Sequence, residues 1–163
     1  MFKHIAVAAA LVISSSAFAA APGTFYAGVD AGETKFKDWS DRETSYGFFA
    51  GYNFLPNVAL EGGFRRLGEA DAFGVDVKAD QVALSLVGSL PIATNLDLYG
   101  RLGYNRIDVD VKSRGFSGSD SESRALYGIG LGYAFSPQIS GRVEVQKPTS
   151  DTTNVSAGVV FNF

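Results

Sequence analysis

The sequence contains no cysteine. That excludes a disulfide framework and any thiolate metal site. It has one histidine and one methionine, His4 and Met1, both at the extreme N-terminus. Basic residues are fewer than acidic ones, 14 against 17, and the formal net charge is −3. A nucleic-acid-binding domain would show the opposite bias. No apolar run reaches eighteen residues, so no membrane-crossing helix is encoded. A mean hydropathy of +0.08 is likewise too low for a bundle of such helices. What is present in quantity is glycine, 19 residues, together with 13 Phe and 7 Tyr. Glycine and aromatics together point to β structure. With aromatics at 13% and a length of 163 residues, the chain is an ordered single domain rather than a disordered one.

The first residues read as an address. Met1 to His4 form a short positive segment, Ile5 to Ile13 an apolar run, and Ala17-Phe18-Ala19 a small-x-small cleavage site. This is the layout of a secretory signal peptide. The expected division is residues 1–19 as signal peptide, with cleavage after Ala21 as the alternative, and residues 20–163 as one barrel domain. Cleavage would remove Met1, Lys3 and His4, leaving a chain with no His, Cys or Met.

Eight segments then alternate apolar with small or polar residues: Phe25–Glu33, Tyr46–Phe54, Val58–Arg66, Val82–Leu90, Leu96–Tyr104, Tyr127–Phe135, Ile139–Lys147 and Val155–Phe163. A period of two marks strands with two different faces. Their length matches the nine to eleven residues that a tilted strand needs to cross a bilayer. Over four alternate positions near the short-turn end of each segment, one parity, for example Phe48, Ala50, Tyr52 and Phe54, or Leu84, Leu86, Gly88 and Leu90, carries no charge. The other parity carries Asp30, Glu61, Arg65, Asp97, Arg101, Arg142 and Glu144, among many Gly, Ser and Asn residues. The second, fourth and sixth segments end in short uncharged turns at residues 55–57, 91–95 and 136–138. The remaining connections, 36–45, 67–81, 105–126 and 148–154, read as longer charged loops and strand extensions. Hydrocarbon gives the backbone no hydrogen-bond partner, so only helices and closed barrels can cross it. The expectation is an all-β fold: an eight-stranded antiparallel up-and-down transmembrane β-barrel.

At eight strands the interior is filled by side chains. The seven inward charges are therefore expected to form a structural ion-pair network that plugs the lumen, with Tyr26, Phe49 and Tyr99 beside it. The lumenal glycines argue against complete filling, because they leave local space. Phe25, Phe54, Phe135, Phe161 and Phe163 at the short-turn end, and Tyr46, Phe64, Tyr104 and Tyr127 at the loop end, are expected to form two interfacial girdles.

The stretches Gly51–Gly68 (GYNFLPNVALEGGFRRLG), Leu98–Arg106 (LYGRLGYNR) and Leu126–Gln146 (LYGIGLGYAFSPQISGRVEVQ) resemble the hairpins of the outer membrane protein β-barrel family, of the outer membrane protein A and X type. The resemblance covers nearly all of residues 20–163. It implies a place in the outer membrane of a Gram-negative bacterium and contact with outer-membrane lipid and lipopolysaccharide. It also implies delivery by the barrel assembly machinery. Val155, Ala157, Val159, Phe161 and Phe163, alternating up to the final Phe, are similar to the signal that this machinery reads. The chain ends at Phe163, so no periplasmic anchoring domain is expected after the barrel.

These readings lead to a non-enzymatic surface barrel, expected to be a monomer, with an envelope-integrity or adhesin-like role. Any surface ligand would meet the loops, above all residues 112–124. Lys35, Lys37, Arg66, Arg106 and Lys147, near the loop-side rim, are candidate contacts for lipopolysaccharide phosphates. No cofactor, metal site or catalytic residue is expected: without His or Cys the chain lacks the common acid–base and thiol groups. A narrow small-solute channel is the alternative. A soluble secreted barrel holding an apolar ligand is a further one, since alternation alone does not say which face is outside.

Overall fold

The computed structural model describes residues 22–36, 42–72, 75–113 and 116–163. They form eight strands: β1 (Thr24–Phe36), β2 (Arg42–Leu55), β3 (Val58–Ala72), β4 (Val75–Ala93), β5 (Leu96–Ser113), β6 (Phe116–Ala134), β7 (Ile139–Thr149) and β8 (Thr152–Asn162). Each strand pairs antiparallel with the next, and β8 returns to β1, so the sheet is a closed barrel. Closure leaves no open edge within the membrane. The signal-peptide assignment and Lys37 lie outside the described residues.

The uncharged parity faces outward on every strand. Phe25, Val29, Phe48, Leu84, Leu102, Ile129 and Phe161 are exposed. So large an apolar exterior excludes a water-soluble barrel and suits hydrocarbon. Aromatic pairs mark its short-turn rim: Phe25 against Tyr52, Tyr133 against Phe135, and Phe161 against Phe163. Toward the other rim Phe48 stacks on Phe64, and Tyr46, Tyr104 and Tyr127 are exposed.

The turns at one end are short. Leu55 and Val58 are joined through Pro56-Asn57, and Ala93 and Leu96 through Thr94-Asn95. Asn95 takes φ +65°, the left-handed region that Asn tolerates better than other non-Gly residues. Pro91 and Pro148 lie inside strands rather than beyond them. Each sits where the register shifts, between Pro91 and Ala93 and between Gln146 and Thr149. An irregular ladder is where a residue without an N–H does least harm.

The other end departs from the loop reading. β4, β5 and β6 run for 19, 18 and 19 residues, against 11 for β7 and β8. Most of the charged segments read as loops are continuations of strands. β3 runs on to Ala72 with β4 beginning at Val75, and β5 runs on to Ser113 with β6 beginning at Phe116. The wall also divides. β2 and β3 stay paired only up to Tyr46 and Arg66, and β6 and β7 only up to Tyr127 and Lys147. Above those points β3 to β6 continue as a tall four-stranded ribbon, while β7, β8, β1 and β2 form a shorter one.

Candidate functional site

The candidate site is the lumen. Its charged and phenolic side chains come from alternate strands: Tyr26 and Asp30 from β1, Glu61 and Arg65 from β3, Tyr99 and Arg101 from β5, Arg142 and Glu144 from β7; Phe49 joins them from β2. The three paired carboxylates have small cross-strand neighbours on the even strands. Asp30 lies between Gly47 and Gly158, Glu61 between Gly51 and Ser85, and Glu144 between Gly130 and Ser156. The lumenal glycines therefore do not leave the bore open, as the sequence had suggested. The Tyr26 ring lies over Gly51, Phe49 over Gly28 and Tyr99 over Gly130, each within 2.6 Å of where a Cβ would stand.

Six of the seven expected charges meet. Arg65 Nη2 donates to Asp30 Oδ2 at 2.6 Å. Arg142 Nη1 donates to Glu61 Oε2 at 2.8 Å, and Arg142 Nη2 lies 3.6 Å from Asp30 Oδ2. Arg101 Nη2 donates to Glu61 Oε1 at 2.5 Å and to Glu144 Oε2 at 3.2 Å. Arg101 Nε is also 2.8 Å from Glu144 Oε1, but the contact is misaligned for a hydrogen bond and acts only as an ion pair. Two phenols complete the cluster: Tyr26 donates to Glu61 at 2.8 Å and Tyr99 to Glu144 at 2.9 Å. The Arg142 guanidinium also lies over the Phe49 ring, 3.3 Å from its centroid, a cation–π contact. Three arginines thus balance three carboxylates, all buried side chains. A charge taken from water is retained only when paired and hydrogen-bonded, and this set meets that condition.

The seventh charge does not join. Asp97 is half-buried in a cavity below the network, with Glu61 and Arg142 above it. Its position near the short-turn end of β5 sets it too low. Parity could place it inside but could not give its height.

Above the ions lies a layer that alternation had not singled out. Asn154 is fully buried and ties four strands together. It accepts from Arg65 Nη1 at 2.5 Å and donates to Thr34 Oγ1 at 2.9 Å and Ser45 Oγ at 2.6 Å. Leu67, Leu126 and Pro148 close the lumen above, all fully buried, and Asn105 donates to the Pro148 carbonyl at 2.8 Å. Leu126 and Ile107 have the opposite parity to Tyr127 and Tyr104. That inversion of the apolar face was the available signal. Leu67 sits at a register shift between Arg66 and Gly68, where parity breaks down.

Arg66, Arg106, Lys35 and Lys147 share the parity of the outward face. Arg66 holds Asp80 in a two-pronged contact at 2.8 and 3.2 Å. Arg106 holds Asp108 at 3.0 Å and Ser121 at 3.0 Å. Lys35 is exposed and Lys147 half-buried. Higher on the tall ribbon, Arg124 is hydrogen-bonded to Glu122, and this carboxylate holds its guanidinium above the ordinary arginine range. Among the described residues no group of three His, Cys, Asp or Glu side chains could hold a metal ion. The lumenal carboxylates of Asp30, Glu61 and Glu144 are engaged by arginine.

Comparison with known proteins agrees with this geometry. The family model described as outer membrane protein beta-barrel domain matches residues 5–163. Outer membrane protein A of Salmonella typhi is 32% identical over 162 residues, covering 87% of this chain and 46% of the relative. The chain spans about half the length of the curated relatives it matches. Among solved structures, Neisserial surface protein A superposes with a TM-score of 0.72 at 18% identity, over 85% of this chain and 97% of that one. Ail, the attachment invasion locus protein of Yersinia pestis, superposes with a TM-score of 0.62 at 19% identity, over 88% and 100%. At such identities the likeness is one of fold. A lipid-facing exterior, a closed eight-stranded wall and the match along nearly the whole chain lead to one conclusion: the chain belongs to the outer membrane protein β-barrel family and resides in the Gram-negative outer membrane.

Proposed function

We propose that this chain is a non-enzymatic surface barrel whose interactions are made by the tall β3–β6 ribbon. The observation that carries this reading is the contrast between a sealed lumen and a wall that rises on one side only. The described lumen offers no paired nucleophile and base. Its ionisable groups are held in a neutral cluster, which suits a plug better than proton transfer. The ribbon presents hydrogen-bonding and charged groups outside the membrane, where an adhesin-like contact would be made.

Asp108 and Ser121 are cross-strand partners. Replacing residues 109–120 by an Asn-Gly turn therefore shortens the β5–β6 hairpin without changing its register. Cells carrying the trimmed barrel should lose adherence to host-cell surfaces relative to the intact protein. They should keep whatever detergent resistance the intact protein confers on a deletion strain. Unchanged adherence rejects the ribbon as the contact surface. Loss of adherence and resistance together assigns the role to envelope integrity instead.

Four further parts of this reading concern biogenesis and lipid. Residues 1–19 direct export and are removed. Val155, Ala157, Val159, Phe161 and Phe163 engage the barrel assembly machinery. Lys35 and Lys147, with Lys37 two residues after Lys35, contact lipopolysaccharide phosphates, whereas Arg66 and Arg106 contribute less because Asp80 and Asp108 offset their charge. The mature protein is a monomer. Photocrosslinkers at Lys35 and Lys147 that never capture lipopolysaccharide would dismiss the lipid contact.

A narrow channel is the second reading, favoured by one observation. A cavity of about 140 Å³ lies on the short-turn side of the ion-pair layer and a void of about 20 Å³ on the other, with Glu61 and Arg142 lining both. Stable unitary conductance of the folded protein in planar bilayers would favour the channel; its absence favours the plug.

A further inference from the structure

The larger of these two cavities has a chemistry of its own. It opens at the short-turn end, where Asn57 and Asn162 stand at its mouth, and the Glu61–Arg142 pair forms its ceiling. Between mouth and ceiling runs an apolar band of Ala59, Val87 and Val160, which packs against Tyr26. Asp97 lines the same space.

The charge of this cavity is uneven. The ceiling groups are spoken for: Glu61 receives Tyr26, Arg101 and Arg142, and Arg142 is shared between Glu61 and Asp30. Asp97 has no ion pair or side-chain hydrogen bond among the described residues. Its cross-strand neighbours are Pro91 and Gly132, neither of which has a side chain able to donate. A half-buried carboxylate without a partner leaves the cavity with one net negative charge beside an apolar wall. A ligand that satisfies both features carries one ammonium and a short alkyl body. At about 140 Å³ the space suits a body of about six heavy atoms, by comparison with a cavity of similar size that takes benzene.

We propose that the cavity is a binding site for small primary alkylammonium ions reached from the short-turn end, which in outer-membrane barrels is the periplasmic side. The ammonium is held by the Asp97 carboxylate as a charge-assisted hydrogen bond. The alkyl body lies on Ala59, Val87 and Val160 and faces the Tyr26 and Tyr99 rings. The ligand enters and leaves through the same mouth, because the ion-pair layer closes the other end.

The test is a titration of the full folded barrel in nanodiscs of zwitterionic lipid, followed by backbone amide shifts. The probes are n-butylammonium, 1-butanol and butyrate. Butylammonium should produce saturable shifts at Ser89, Ser140 and Asn162, with 1-butanol about tenfold weaker and butyrate without effect, as expected for loss of one charge-assisted contact. Asp97→Asn should bring butylammonium down to the level of 1-butanol. Ala59→Leu, which fills the apolar band and leaves the carboxylate alone, should abolish saturation for both. Heat-dependent gel mobility verifies that each variant is folded. Equal affinity for butylammonium and 1-butanol in the unaltered protein overturns the proposal. So do shifts that never saturate, and so does Ala59→Leu binding as well as the unaltered protein.

Discussion

Gly51 and Tyr26 face each other across the β1–β2 pair, and a Cβ on Gly51 would come within 2.2 Å of the Tyr26 ring carbon Cζ. The three nearest atoms to that position all belong to the Tyr26 side chain. Gly130 holds the Tyr99 ring in the same way, but there the nearest atom is the Val143 carbonyl oxygen, at 2.4 Å. The two sites should therefore respond differently to the same pair of changes. Gly51→Ala should destabilise the barrel by about 1–3 kcal/mol through overpacking, and adding Tyr26→Ala should relieve that clash. Gly130→Ala should be damaging too, and Tyr99→Ala should not relieve it, because backbone cannot step aside. Urea unfolding in lipid vesicles measures both double-mutant cycles.

Glu61 is the carboxylate shared by Arg101 and Arg142. Glu61→Gln removes the charge that holds both guanidinium groups in a buried setting. The expected loss is about 3–5 kcal/mol, the usual consequence of leaving a buried charge without its partner. Asp97→Asn, which breaks no pair, should change stability by less than about 1 kcal/mol. The same unfolding measurement compares them. Similar losses at the two positions would mean that Asp97 does belong to the network after all.

Asn154 joins Arg65 to the hydroxyls of Thr34 and Ser45. Asn154→Ala leaves several buried polar groups unsatisfied and should destabilise by about 1–3 kcal/mol. Asn154→Leu is similar in volume but should be no better, since the lost groups are polar and not packing. Heat-dependent gel mobility should show a lower transition temperature for both variants.

The tall ribbon owes nothing to the lumenal layers beneath it except its anchorage. Replacing residues 109–120 by Asn-Gly should leave the transition temperature within a few degrees of the unaltered protein. Amide shifts of Asp30, Glu61 and Arg142 should not move. A collapse of the fold would mean that the hairpin tip supports the barrel and is not a separate surface element.

Much of this molecule follows from alternation alone. With side chains pointing to opposite faces at every step, alternation in eight segments gives the number of strands and sorts residues into an uncharged set and a charged one, while the exposure of the uncharged set in the closed wall shows that it faces outward. That Asp30, Glu61, Arg65, Arg101, Arg142 and Glu144 share one face follows from the same count. Parity says nothing of height. Which lumenal groups share a level depends on register, and register is set by pairing and by the shifts at Leu67, Pro91 and Pro148, which no periodicity reveals. Only the closed wall could therefore separate Asp97 from the ion pairs, bring Asn154 of β8 to Arg65 of β3, and turn expected loops into a ribbon. The glycines show the same division. Their number marked a β protein at the outset, but only cross-strand register shows that they are the seats of the lumenal rings.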